Sequence, residues 1–161
     1  MSGVQQSGQV TPAHLASWAT DGVLQDAGVT FTNTYGMFQS TTLQVNFNAA
    51  NTDNPIPINL PVGYTKYRIH QIILSGATSS LSTATCGVFT QQSAAGLGVV
   101  ASGTAITVTQ TAGDTNNNMQ SLTIVNQNTL ALIDTTLYFR VQGAQGSPAL
   151  GNVSVIYEPL P

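Results

Sequence analysis

The chain has 161 residues, and only nine of them carry a formal charge, three basic and six acidic, with a net charge of −3. Three basic residues cannot neutralise nucleic-acid phosphates or an anionic membrane surface, and no stretch approaches the roughly 18 apolar residues of a transmembrane helix, so these partners are excluded. A surface so poor in charge is weakly protected against self-association, which favours a structural protein held in a larger assembly.

Residues 1–40 are predicted to form an N-terminal arm. Residues 1–10 are mostly Gly, Ser and Gln, a composition typical of an extended or flexible segment. The segment lacks the basic start and apolar stretch of a secretion signal, so we expect synthesis and folding in a host cytoplasm.

A short helix is predicted near residues 12–19 of this arm. Thr11 can cap its first turn, and Pro12 suits the first helical position because its missing N–H would be unpaired there. Leu15 and Trp18 share one face at helical spacing. A helix of two turns is not stable alone, so its apolar face must dock on something.

Residues 41–161 are predicted to form one β-sandwich domain, and 42% hydrophobic residues suffice for its core. Apolar and polar residues alternate with a period of two, and turn-forming residues separate the segments. Pro55 and Pro57 confine their segment to a sheet edge. The predicted strands are Leu43–Phe47, Ile56–Leu60, Tyr67–Leu74, Thr85–Gln91, Thr104–Gln110, Met119–Val125, Thr136–Gln142 and Val153–Glu158.

About eight antiparallel strands match the number in a jelly roll, with a lipocalin-like barrel or another sandwich topology as alternatives. The fold class predicted is therefore all-β, an eight-stranded jelly-roll-like sandwich after the arm. The side chains expected to face the core are Val45, Phe47, Ile58, Ile69, Ile72, Leu74, Val88, Ile106, Leu122, Ile124, Tyr138 and Val155.

No constellation of residues indicates catalysis, a metal site or a cofactor. His14 and His70 have no partner at metal-ligand spacing, and a hydrogen-bonded structural role is expected for His70. The carboxylates are scattered one to a segment, and the single cysteine, Cys86, reads as a small buried packing residue. The run Gly96–Ala101 matches a nucleotide-binding pattern by letters only, and we interpret it as a glycine-rich hairpin loop. The protein is therefore not expected to be an enzyme.

The opening of the chain resembles small structural proteins of tailed bacteriophages, in which a similar stretch precedes a β-rich body. The segments that carry this resemblance are Ser7–Trp18 and Thr20–Gly28, and the closing segments Thr136–Val141 and Val153–Tyr157 are similar to the ends of such bodies. The resemblance implies a virion component on the phage head surface. Among such parts, a jelly-roll decoration (cement) protein fits best, bridging subunits of the major capsid protein and associating with itself as a dimer or trimer.

The arm is then expected to be the interface, with Trp18 filling a pocket of its partner. The candidate interface residues are Pro12, His14, Leu15, Trp18, Asp21 and Gly22. The alternative is a head-fibre or tail-tip module that binds a receptor carbohydrate and is anchored by the same arm. Its candidate aromatic residues are Tyr35, Phe38, Tyr64 and Tyr67.

Overall fold

The structure is a computed structural model, and it describes five stretches of the chain: residues 14–18, 24–30, 37–110, 118–125 and 131–160. The chain divides into two units, Met1–Gly36 and Met37–Pro161. The second unit is the sandwich body.

The first unit contains a β-hairpin where the sequence predicted a helix. Strands β1 (His14–Trp18) and β2 (Leu24–Thr30) pair in antiparallel fashion, with Trp18 opposite Leu24, and form a two-stranded sheet of their own. The helix predicted near residues 12–19 is therefore not confirmed, and the helical spacing that united Leu15 and Trp18 does not apply. Two helical turns are marginal in water, whereas pairing with β2 satisfies the backbone groups of β1.

The second unit contains eight strands in two antiparallel sheets, which confirms the all-β prediction. One sheet has the order β3-β10-β5-β8 and the other the order β4-β9-β6-β7. The strands are β3 (Phe38–Asn46), β4 (Thr52–Pro57), β5 (Lys66–Ser75), β6 (Thr85–Phe89), β7 (Gly98–Ala105), β8 (Gln120–Leu122), β9 (Thr136–Gly143) and β10 (Leu150–Leu160).

The core lies between the two sheets, and most residues predicted to face it are buried. Ile124 is only partly buried but packs against the core. The prediction for Tyr138 was wrong, because β9 buries Leu137, Phe139 and Val141 and leaves Tyr138 on the opposite face. Alternate residues of a strand point to opposite faces. Because Leu137, Phe139 and Val141 are all apolar and face the core, Tyr138 between them must face away from it.

The edges of β3 and β4 are joined by side-chain hydrogen bonds. β4 is an edge strand of its sheet, as its two prolines predicted. The Ser40 hydroxyl donates to the carbonyl of Pro57 at 2.5 Å, and the Thr42 hydroxyl donates to that of Pro55 at 2.6 Å. Proline has no N–H to donate to a further strand, and these two bonds occupy the carbonyls of both prolines. The capacity of β4 to pair with another chain is therefore reduced.

The edges of β7 and β8 are joined in a similar way on the other side of the sandwich. The Val125 N–H donates to the carbonyl of Val99 at 2.9 Å. The Gln120 amide accepts from the Thr107 N–H at 2.7 Å and donates to the Ala105 carbonyl at 3.2 Å. This side chain therefore replaces a peptide group between two segments and satisfies two backbone groups near this edge.

Replacing Gln120 with Ala should lower the free energy of unfolding by about 1–2 kcal/mol, since two backbone groups lose their partner. The Thr107 amide should also exchange faster with solvent. Denaturant unfolding and amide hydrogen exchange measure both effects. The control is Gln71→Ala, because Gln71 bonds the hydroxyl of the exposed Ser121 at 3.3 Å. Equal losses in the two variants would contradict the bridging role.

Candidate interaction surface

The structure describes three of the six predicted interface residues. His14, Leu15 and Trp18 lie on β1, with His14 and Trp18 at its two ends. Pro12, Asp21 and Gly22 lie outside the described residues. The hairpin therefore holds the predicted anchor, Trp18, at a strand end that pairs with the start of β2.

The aromatic residues considered for carbohydrate binding do not form one exposed cluster. Tyr67 is fully buried and packs edge-to-face on Tyr157, with ring centroids 5.7 Å apart. Phe38 is half-buried and stacks on Tyr157 at 5.9 Å, and Tyr64 is half-buried. Tyr35 lies outside the described residues. Since Tyr67 belongs to the core, it has no face to offer a sugar ring.

Some of the few charged side chains of the body are bonded within the chain. The Arg140 guanidinium lies 2.9 Å from the Asp53 carboxylate across the β4–β9 ladder, with both side chains largely buried. Arg140 also donates to the Asn51 side chain at 3.3 Å, and Asp53 accepts from the Ser93 N–H at 2.8 Å. The His70 ring lies 3.0 Å from the Glu158 carboxylate, so its predicted hydrogen-bonded role is confirmed. The Arg140–Asp53 pair therefore removes two of the few charges of the body from its exposed surface.

Cys86 and the glycine-rich segment have structural roles. Cys86 is fully buried, as predicted, and burial raises the pKa of its thiol to about 12, which suppresses the reactive thiolate. Gly96 lies in the loop between β6 and β7, and β7 begins at Gly98. Gly96 and Leu97 therefore lie in a hairpin loop, as predicted, whereas Gly98–Ala101 belong to β7 and the prediction of a loop was wrong there.

The sandwich body has two distinct ends, because consecutive strands run in opposite directions. The entry end is defined here by Met37 at the start of β3, by residues 58–65, 90–97 and 131–135, and by the end of β10. The opposite end is defined by residues 47–51, 76–84, 106–110, 118–119 and 144–149.

Hydrogen bonds hold the segments of the entry end together. The Ile58 N–H donates to Thr135 at 2.8 Å, and Tyr67 and Leu132 exchange backbone bonds at 2.8 and 2.9 Å. Thr90, from the segment 90–97, and Ile133, from the segment 131–135, line one depression. These contacts place loops that are distant in sequence side by side.

Large exposed apolar side chains are concentrated at the entry end. In the described part of the chain they are Met37, Val62, Leu97, Ile133 and Met119, and only Met119 lies at the opposite end. Val62 occupies the tip of a turn in which the Tyr64 N–H donates to Pro61 at 3.1 Å and Gly63 has a φ of +91°. Glycine adopts this φ without strain, so the turn presents Val62 to solvent in a defined position.

Comparisons with models of known protein families, with curated protein sequences and with solved structures find no match for this chain. Among the described residues, no group of three or more His, Cys, Asp or Glu side chains could hold a metal ion. The same stretches include no helix of the length and hydropathy needed to cross a membrane. The functional proposal therefore depends on the fold and its surfaces.

Proposed function

We propose that this protein is a structural component of a tailed-phage virion, which decorates and cements the head by bridging major capsid subunits. The observation that carries the proposal is a β1–β2 sheet separate from the two sheets of the body, together with the hydrogen bonds that join the edges of those two sheets. A two-stranded hairpin is marginally stable at best in water, so it gains stability by docking. An autonomous body with a hairpin that requires a docking surface suits a protein that attaches to a preformed shell.

The strand order supports a jelly-roll body. Counted along the second unit, the first strand pairs with the eighth, the second with the seventh, the third with the sixth and the fourth with the fifth. A long antiparallel ladder of this kind, wrapped into two sheets, makes the jelly roll that recurs in viral capsid domains. A fold shared with capsid proteins favours the virion proposal, although fold alone does not define function.

The surface chemistry supports attachment through apolar and backbone contacts. The Arg140–Asp53 ion pair is largely buried in the body, and the Glu158 carboxylate bonds the His70 ring, so these groups already have partners within the chain. The partners proposed are the major capsid protein and further copies of this chain, as a dimer or trimer. Since ionic contacts contribute little, washing particles in low or high salt should change retention only slightly.

Replacing Trp18 with Ala tests the attachment role of the hairpin. We expect attachment to weaken by about 2–4 kcal/mol, the range of a central aromatic anchor, while the body stays folded. Occupancy is measured by quantitative mass spectrometry of purified particles, and the melting temperature is measured on the free protein. Met119→Ala, an exposed apolar truncation in the body, is the control.

Two results would contradict this proposal. If the melting temperature falls and occupancy per folded molecule does not, Trp18 belongs to the protein's own packing. If antibodies against this chain label fibres or the tail tip and leave the head unlabelled, the receptor-binding alternative replaces the decoration role.

A further inference from the structure

We infer that the body stands end-on, with its entry end against the shell and its opposite end toward solvent. This inference rests on the proposed function and specifies which surface of the body makes the second contact. The occupant proposed for the entry end is the charge-poor protein surface to which the first unit is attached. It is a protein surface with apolar pockets, as opposed to a nucleic acid or a lipid.

The distribution of exposed apolar residues is the first argument. Val62 and Ile133 project from two different loops of the entry end, and Ile133 is 68% exposed. Scattered single apolar residues are normal on a surface, but several together at one end mark an interaction site. Leu97 and Met37 are also exposed and belong to the same end.

The opposite end has one large exposed apolar side chain among its described residues, Met119, and its loops bond one another through polar groups. The Thr83 hydroxyl donates to the Gln145 carbonyl at 2.6 Å, and the Thr83 N–H donates to the Gln145 side chain at 3.1 Å. The Gly146 N–H donates to the Asn48 side chain at 3.0 Å. Ser79 bonds the carbonyl of Pro148 in the same way at 3.1 Å. The described loops of this end are therefore held together by side-chain hydrogen bonds, and they offer fewer exposed apolar side chains to a partner.

Chain connectivity is the second argument. Met37 is the first residue of the body and directly follows Gly36, the last residue of the first unit. A partner held by residues 1–36 is therefore joined to the body at the entry end. Such a tether raises the local concentration of that end at the partner surface, so weak apolar contacts there become effective.

The charges near the entry end identify the chemistry of the partner. Lys66 and Arg68 begin β5, and Arg68 lies opposite Glu158 in the β5–β10 ladder. Asp134 lies in the loop beside Ile133. Two positive and two negative groups give this end no net charge, so it offers no electrostatic attraction to phosphate groups of a nucleic acid or a lipid surface. A protein surface that buries Val62 and Ile133 is the partner that remains.

The test compares matched apolar truncations at the two ends in the full chain. The entry-end variants are Val62→Ser and Ile133→Ser, singly and together, and the control is Met119→Ser, since Met119 is 67% exposed and Ile133 68%. Each variant competes with the unaltered protein for purified particles that lack it. We expect the double variant to lose occupancy about tenfold or more, and Met119→Ser to stay within about twofold.

Each outcome decides between the alternatives. All three side chains are exposed, so the melting temperature of the free variants should not change, and occupancy is counted per folded molecule. Equal occupancy of the double variant and the control overturns the inference and leaves the proposed function intact. A loss of self-association with unchanged occupancy, measured by analytical ultracentrifugation, overturns it in favour of contact between copies. Absence of the unaltered protein from particles overturns the proposed function itself.

Discussion

Replacing Phe139 with Ala is expected to lower the free energy of unfolding by about 3–5 kcal/mol. Phe139 is fully buried at the centre of β9, which pairs with β4 on one side and β6 on the other. Its ring packs edge-to-face on Phe47, with centroids 5.7 Å apart, so the truncation removes contacts between elements distant in sequence. Domains are stable by about 5–15 kcal/mol, and the variant should therefore retain a small margin.

The control for this prediction is the neighbouring residue, Tyr138. Tyr138→Ala should cost about 1 kcal/mol or less, because the ring lies on the outer face of β9 and is half-buried. Urea unfolding followed by circular dichroism compares the two variants with the unaltered chain. A larger loss at Tyr138 than at Phe139 would mean that β9 is displaced by one residue, since such a slip exchanges its two faces.

Raising the pH from 8 to 11 is expected to destabilise the fold by about 3 kcal/mol or more. Burial raises the pKa of Cys86 to about 12, whereas an exposed thiol in the unfolded chain has a pKa of about 8.5. Burial, and then the charge of Asp134, also raises the pKa of Tyr67 well above its usual value. Groups with a raised pKa in the fold stabilise it fully below their unfolded pKa. That contribution is lost as the pH rises, because the unfolded chain releases its protons first.

Two substitutions identify the groups responsible for the alkaline loss, and a third, in another buried tyrosine, serves as a comparison at pH 7. Cys86→Ala should flatten the pH dependence, as should Tyr67→Phe. The Tyr67 hydroxyl is buried with no hydrogen-bond partner among the described residues, so its removal should cost little at pH 7. Tyr157→Phe should cost about 1–2 kcal/mol at pH 7, because the Tyr157 hydroxyl donates to the Asn59 carbonyl at 2.9 Å.

The measurement is denaturant unfolding of each variant at a series of pH values from 7 to 11. Constant stability of the unaltered chain across this range would contradict the prediction. The same slope in all variants would show that other groups carry the alkaline loss.

The sequence predicted most β-strands of the body because their signal is local, but the predicted strand Thr104–Gln110 shares only Thr104 and Ala105 with β7. Apolar and polar residues alternate along any strand that buries one face, so neighbouring residues alone indicate the strand. The strand predicted at Tyr67–Leu74 is β5, which lies in the interior of its sheet. Pro55 predicted an edge because a residue without an N–H cannot complete a central ladder. The low charge content likewise led us to expect no nucleic-acid or membrane partner, without any knowledge of the fold.

The sequence could not choose between two structures where both satisfy the local pattern. Residues near Trp18 have the residue types typical of a helix start, yet the backbone of His14–Trp18 pairs with β2. A strand pairing depends on a second segment, which the local pattern does not contain. On β9, Tyr138 and Phe139 are both aromatic, and the face that packs on Phe47 decides which one is buried. These choices depend on partners distant in the chain.

The candidate interaction surface also could not be predicted from the sequence. Val62 and Ile133 are single apolar residues in separate loops, and nothing in either loop indicates that they share one end of the body. The bridging role of Gln120 depends in the same way on residues 105 and 107. Composition and alternation determined the fold class, the strands and the low charge, because these follow from neighbouring residues. Tertiary structure alone decided the sheet order, the bonded edges and the apolar end, because they arise only when distant segments meet.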